Sequence, residues 1–258
     1  MTSPTPSDSE ALIVPDWPLP PGVRSLITTR RGGVSAAPFD SFNLATHVAD
    51  AASAVAANRA RLAQCLPGEP VWLEQVHGVQ VSDADAYVPG TPSPCADAAV
   101  ARRAGVVCAV LTADCLPVLF CTDDGRGVAA AHAGWRGLCA GVLEATADRL
   151  GVPGARVLAY LGPAIGPSAF EVGDEVRDAF VAQDSEAAKC FQPGMPEKWF
   201  ADLYALARLR LARIGVQAVY GGGRCTFGET ERFYSYRRDG ARSGRMASLI
   251  WREPDSRI

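Results

Sequence analysis

No stretch of this chain approaches the roughly 20 consecutive apolar residues that a membrane span requires. Its opening, MTSPTPSDSE, is polar and acidic where a signal peptide would be basic and then apolar. A cytoplasmic protein is the expectation. Net basic charge is missing as well. The formal balance is −3, so no global field draws the chain to nucleic acid or to an anionic membrane, and neither is expected as a partner. The eight cysteines contain no CxxC pair, too thin a framework for a disulfide scaffold, so reduced thiols are expected, most of them small core hydrophobes. Gly221-Gly222-Gly223 is followed by no Lys-Ser/Thr and opens no helical pattern, which makes it a turn rather than a phosphate loop. No repeat, linker or charge run marks a domain boundary. Histidine is scarce: His47, His77 and His132 are the only three.

What is present suits a substantial core. Of 258 residues, 48% are hydrophobic and 21% charged. Residues 1–10 read as a disordered tail and residues 11–258 as one domain. The chain is organised around VVCAVLTADCLPVLFCTDDGRGVAAAHAGWRG, residues 106 to 137. Two apolar runs, Val106–Thr112 and Pro117–Thr122, precede a turn at Asp123–Gly127 and a third run, Val128–His132. Continuous apolar runs bounded by Asp/Gly turns predict strands buried on both faces. Further strands are expected at Val23–Thr29, Val71–Val76, Val79–Ser82, Ala98–Ala101, Val157–Leu161, Val216–Tyr220, Phe233–Arg237 and Ala247–Trp251. Helices are expected from Asp50, as N-cap, to about Leu66, and from Arg136 to Leu150 with Gly151 closing the end. Two more are expected over Gly173–Val181 and Phe200–Ile214, with a loop at Lys189–Lys198 between them. The fold class is α+β (mixed α/β), a single domain with central mixed sheets flanked by helices in α/β/β/α-like layers.

Asp114, Cys115 and His132 break the apolar pattern at strand ends, where sites are usually built. His77 also follows a predicted strand and precedes a glycine. Two imidazoles and one thiolate would hold a zinc ion and leave a fourth position open, as catalytic zinc requires. A second reading uses the same residues without a metal: Cys115 as nucleophile, His132 or His77 as base, Asp114 as orienting group. Gly134-Trp135-Arg136-Gly137 leads into a helix, so Arg136 is the candidate for an anion pocket, with Arg237, Arg238 and Arg245 next in line.

VWLEQVHG, VCAVLTADCLPVLFC, AAHAGWRGLCAGV, LGPAIGPSAFEVG and FYSYRRDGARSGRMASLIW together resemble the bacterial laccase-domain family. That family is also called the multicopper polyphenol oxidoreductase or peptidoglycan-editing-factor family. The resemblance runs from TTRRGGVS to the C-terminus. It implies a sandwich of mixed sheets flanked by helices and a metal held by His77, Cys115 and His132. It also implies a purine nucleoside phosphorylase, acting on adenosine, inosine and methylthioadenosine, that deaminates adenosine as well. Asp114 is then the candidate for proton transfer. Some members carry a cysteine just before YEVG; here the stretch is Pro167-Ser168-Ala169-Phe170-Glu171-Val172-Gly173, so no role passes to it. Three histidines are too few for a multicopper centre, which needs on the order of ten. A His₂Cys set still leaves room for copper loading and weak phenol oxidation as a side activity. Two other readings stand beside these. One is a hydrolase that removes a wrongly added amino acid from a muramic-acid peptide precursor. The other is a non-enzymatic partner protein with a structural zinc, which would show a fourth ligand such as Cys108, Cys121 or Cys139.

Overall fold

The structure, a computed structural model, describes residues 11–254; the tail expected over residues 1–10 lies outside them. The first half of the chain runs β1 (Leu12–Ile13), β2 (Val23–Thr28), α1 (Ala52–Ala63), β3 (Pro70–Val71), β4 (Val81–Asp83), β5 (Ala98–Ala101), β6 (Val107–Thr112), β7 (Leu116–Thr122) and β8 (Val128–Ala133). It continues with α2 (Trp135–Ala140), α3 (Val142–Leu150), β9 (Val157–Leu161), β10 (Glu171–Gly173), α4 (Asp174–Val181), β11 (Phe191–Pro193), β12 (Lys198–Ala201) and α5 (Leu203–Arg213). The last elements are β13 (Ala218–Gly221), α6 (Tyr236–Asp239) and β14 (Met246–Arg252).

Two mixed sheets form the centre, as the sequence predicts. One has the order β1-β2-β14-β6-β3, the other β13-β9-β7-β8-β5-β4, and β10-β12-β11 make a small third sheet. The two large sheets face each other through Val23, Cys108, Val110 and Ile250 on one side and Leu119, Cys121, Val128 and Ala130 on the other, all fully buried. The opposite face of the six-stranded sheet is covered by α2 to α5, through Leu138, Leu143, Phe180 and Leu206. Phe42, Leu44 and Leu62 cover the outer face of the five-stranded sheet. Every residue of β6, β7 and β8 is buried, which is why these strands read as continuous apolar runs rather than alternating ones.

Several local expectations differ from what the fold does. The predicted helix from Arg136 to Leu150 is two helices, because Gly141 takes φ 105° between them; Gly151 closes the second in the left-handed conformation as expected. Asp50 is not the N-cap: its carboxylate accepts from the Ser35 hydroxyl at 2.7 Å and the Asn43 amide at 2.9 Å, and Ala51 takes the N-cap position of α1 without a side-chain cap. Asp202 caps α5 by accepting from the Ala205 N–H at 3.0 Å, so the helix starts three residues after Phe200, which belongs to β12. The Lys189–Lys198 loop contains β11 and ends in β12. Phe233 and Tyr234 are fully buried, but they lead into α6 through the Ser235 cap and form no strand. The Val71–Val76 strand stops after Val71; beyond it the Gln75 amide takes the place of a paired backbone, accepting from Leu111 N at 2.7 Å and donating to Leu111 O at 2.8 Å. Among the cysteines, Cys108, Cys121 and Cys139 are core, whereas Cys65 and Cys95 are exposed.

Candidate metal centre

β7 and β8 are antiparallel, with Pro117 opposite His132, so the turn before β7 and the end of β8 lie side by side. The turn carries Asp114, at φ 92°, and half-buried Cys115. His132 is buried near the end of β8. His77 reaches the same point from the 74–80 loop, with φ 60°. One donor atom from each of His77, Cys115 and His132 lies within 4.8 Å of the others. The Cys115 Sγ to His77 Nε2 distance is 3.8 Å, close to the roughly 3.5 Å that tetrahedral bonds of about 2.3 Å to sulfur and 2.0 Å to nitrogen would give. The two imidazoles meet edge to face, their centres 4.8 Å apart. These donors therefore suit a single first-row metal ion.

A buried carboxylate that the sequence reading passed over organises all of this. Asp97 Oδ1 lies 2.8 Å from His132 Nδ1, which leaves Nε2 for the metal. The same carboxylate accepts the backbone N–H groups of Val76, His77 and Gly78 at 3.2, 2.9 and 2.6 Å. One fully buried side chain thus orients one ligand and shapes the loop that carries another. Burial pushes the Asp97 carboxyl up, but the bond and charge of His132 and the Gly78 and Val76 N–H groups outweigh that and hold it below the usual range. Gly134 lies against the cluster: a Cβ there would stand 2.7 Å from His77 Cδ2 and 3.1 Å from Cys115 Sγ.

Burial is the strongest single influence on the Cys115 thiol and raises it, yet the charge and hydrogen bonds of His132 and His77 bring it down to about 6. For His132, burial again opposes the charged form, but Cys115 and Asp97 raise it to about 9. Without an ion the pair is a thiolate beside an imidazolium.

The other predicted residues fall out differently. Asp114 hydrogen-bonds to neither imidazole, so it is Asp97 that occupies the orienting position in the nucleophile arrangement. Asp114 Oδ1 accepts from the Thr226 hydroxyl at 2.6 Å, and Oδ2 from the Ser235 hydroxyl at 3.0 Å and from Arg237 N at 2.6 Å. Arg136 is exposed and does not line the cavity; its guanidinium lies 4.5 Å from the Trp135 ring centre. Arg238 donates to the carbonyls of Thr226, Phe227 and Phe233 and pairs with Asp239. Among the described residues the donor cluster has three members, and Cys108, Cys121 and Cys139 are not among them.

The cluster forms the floor of a cavity of about 520 Å³, within the range of small-molecule sites. His47, Phe170, Tyr236, Arg237 and Arg245 also line it. Burial, and then Arg245 and Arg59, hold His47 below its ordinary value. Sequence reasoning missed His47, Phe170 and Tyr236 as site residues; the scarcity of histidine was the one signal that pointed to His47.

A family model described as multi-copper polyphenol oxidoreductase laccase matches residues 24–253. The purine nucleoside phosphorylase PA4543 of Pseudomonas aeruginosa is 59% identical over 244 residues, covering 93% of this chain and 98% of its own. The purine nucleoside phosphorylase YfiH of Escherichia coli is 56% identical over 245 residues, with 93% and 98% covered. The crystal structure of Neisseria meningitidis protein NMB0706 superimposes with a TM-score of 0.90 at 52% identity, covering 95% of this chain and all of that one.

Proposed function

The chain belongs to the multi-copper polyphenol oxidoreductase laccase family, and on that premise we propose that it is a zinc-dependent purine nucleoside phosphorylase that also deaminates adenosine. The reading is supported by the phosphorylase names of its relatives. The observation that carries it is the position of the donor cluster: three donors at the floor of a nucleoside-sized cavity, with no fourth protein donor to close the site among the described residues. An ion held only to brace the fold would normally be fully enclosed by protein ligands.

In this proposal His77, Cys115 and His132 hold zinc, and the ion supplies Lewis-acid activation of the attacking oxygen. Asp97 keeps the His132 proton on Nδ1 and the ring in register. Phe170 and Tyr236 offer aromatic faces to a planar purine. In phosphorolysis a phosphate oxygen bonds to C1′ of the ribose as the bond to the base breaks and the base nitrogen takes up a proton. In deamination water supplies the oxygen at C6 and ammonia leaves. Both reactions need an oxygen nucleophile held beside an electron-poor carbon, so one cavity serves both. Asp114, its carboxylate already engaged by three donors, holds the Cys115 turn against the segment that carries Tyr236 and Arg237.

Adenosine, inosine and methylthioadenosine, each incubated with phosphate and the zinc-loaded protein, should give the free base with ribose 1-phosphate or its methylthio analogue. Adenosine should also give inosine and ammonia. Absence of every sugar phosphate product with zinc bound would overturn the proposal, and release of an amino acid from a muramic-acid peptide precursor in that case would favour the editing hydrolase.

A further inference from the structure

Two arginines of the cavity wall are anchored by carbonyls and aromatic rings but paired with no carboxylate. Arg237 Nη1 donates to the Glu171 carbonyl at 3.0 Å, and its guanidinium lies 5.4 Å from the Phe170 ring centre. Arg245 Nη1 donates to the carbonyls of Ser243 and Gly244 at 2.6 and 3.0 Å, and its guanidinium lies 5.6 Å from the Tyr236 ring centre. Neither forms an ion pair with a carboxylate among the described residues, and neither donates from Nε or Nη2 to a protein acceptor there. Those two nitrogens form the edge of a guanidinium that grips an oxyanion through two parallel hydrogen bonds. The neighbouring cation provides the contrast: Arg238 is satisfied by three carbonyls and Asp239.

Arg245 is half-buried, and burial acts against its charge, opposed by Cys115, Tyr236 and Asp114. A half-buried guanidinium with two free N–H edges gains most when an oxyanion enters to accept from them. A chain with net charge −3 provides no long-range attraction for a dianion, so capture has to come from a local donor cluster.

We propose that Arg237 and Arg245 form a phosphate subsite on the wall of the cavity, holding the dianion beside the His77–Cys115–His132 cluster for attack on the nucleoside. The proposal rests on the phosphorylase reading above for the use made of the anion, but not for its binding.

Binding of inorganic phosphate to the zinc-loaded full chain, measured by calorimetry without nucleoside, tests it. Arg245→Gln and Arg237→Gln should each weaken phosphate binding at least tenfold while zinc content and adenosine affinity stay within about twofold. Arg245→Lys, which keeps the charge and loses the fork, should fall in between. Arg136→Ala should bind phosphate as the parent does. If Arg245→Gln fails to fold, Arg237→Gln decides, because that side chain is at the exposed wall and gives up one carbonyl bond. Parental phosphate affinity in a folded, zinc-loaded Arg237→Gln or Arg245→Gln protein would overturn the subsite, as would no phosphate binding by the parent. Arginine-dependent phosphate binding without any sugar phosphate product would uphold the subsite and defeat the phosphorylase reading instead.

Discussion

Asp97 reaches across 35 residues of sequence to accept from His132 at 2.8 Å, and with the same carboxylate it accepts the His77 backbone N–H at 2.9 Å. A single buried anion therefore sets the geometry of two candidate metal ligands that come from different segments of the chain. Asp97→Asn should raise the dissociation constant for zinc by about 10- to 100-fold, the usual cost of removing a carboxylate behind a ligating histidine. Asp97→Ala also strands three backbone donors and should cost about 3–5 kcal/mol in chemical denaturation. Because its folded-state value is depressed, the stability from Asp97 is complete above the unfolded range of about 4 and is lost as pH falls through the lower folded value. Zinc affinity unchanged in Asp97→Asn would show that the ligands need no such brace.

Cys115→Ala should abolish zinc binding, measured as metal per chain after expression in defined medium, where the parent should hold one equivalent. Full occupancy in that variant would remove Cys115 from the ligand set.

The charges of the metal-free pair make a prediction about protons. At pH 7.5 Cys115, at about 6, is already a thiolate, and His132, at about 9, is an imidazolium. Zinc binding should therefore release about one proton, from His132 Nε2, and this is readable by calorimetry in buffers of different ionisation enthalpy. The Cys115 contribution to the metal-free fold is complete above the unfolded thiol range of about 8.5 and is lost as pH falls through about 6. That of His132 is complete below the unfolded imidazole range of about 6.5 and is lost as pH rises through about 9. The two slopes oppose each other, so metal-free Tm should change little between those limits.

Gly134→Ala tests steric closure of the site. Gly134 has φ −63° and ψ 156°, a conformation open to any residue, so the local penalty is steric: a Cβ would stand 2.7 Å from His77 Cδ2 and 3.1 Å from Cys115 Sγ. The variant should fold with a Tm within a few degrees of the parent and bind zinc at least tenfold more weakly. Parental zinc affinity would mean that the His77 loop yields without cost.

Asp114→Asn separates positioning from proton transfer. A positioning role predicts a higher KM for nucleoside and about 1–3 kcal/mol lost in stability as Thr226, Ser235 or Arg237 N–H loses its acceptor, with zinc content unchanged. A fall in kcat of about 10²- to 10⁴-fold with one limb of the pH profile missing would restore the proton-transfer role that the sequence suggests.

Taken alone, the amino-acid sequence determined the buried strands from Val107 to Ala133 and the residue types able to bind a metal. Both are local signals: an unbroken apolar run between Asp/Gly turns excludes water from both faces of a strand, and a histidine or cysteine at a strand end stands out against such a run. What surrounds those residues was decided by the tertiary structure. Asp97 looks like any loop carboxylate until β5 and β8 pair and bring it against His132. Gln75 extends no strand because its side chain, rather than its backbone, satisfies Leu111, 36 residues away. Arg136 sits four residues after His132, yet its guanidinium lies over Trp135 while Arg237 and Arg245, more than 100 residues further on, line the cavity, so spacing along the chain does not decide which guanidinium faces the cluster. Hydrogen bonds and charges between distant segments leave no period in the sequence, so only the folded arrangement of the two sheets could assign them.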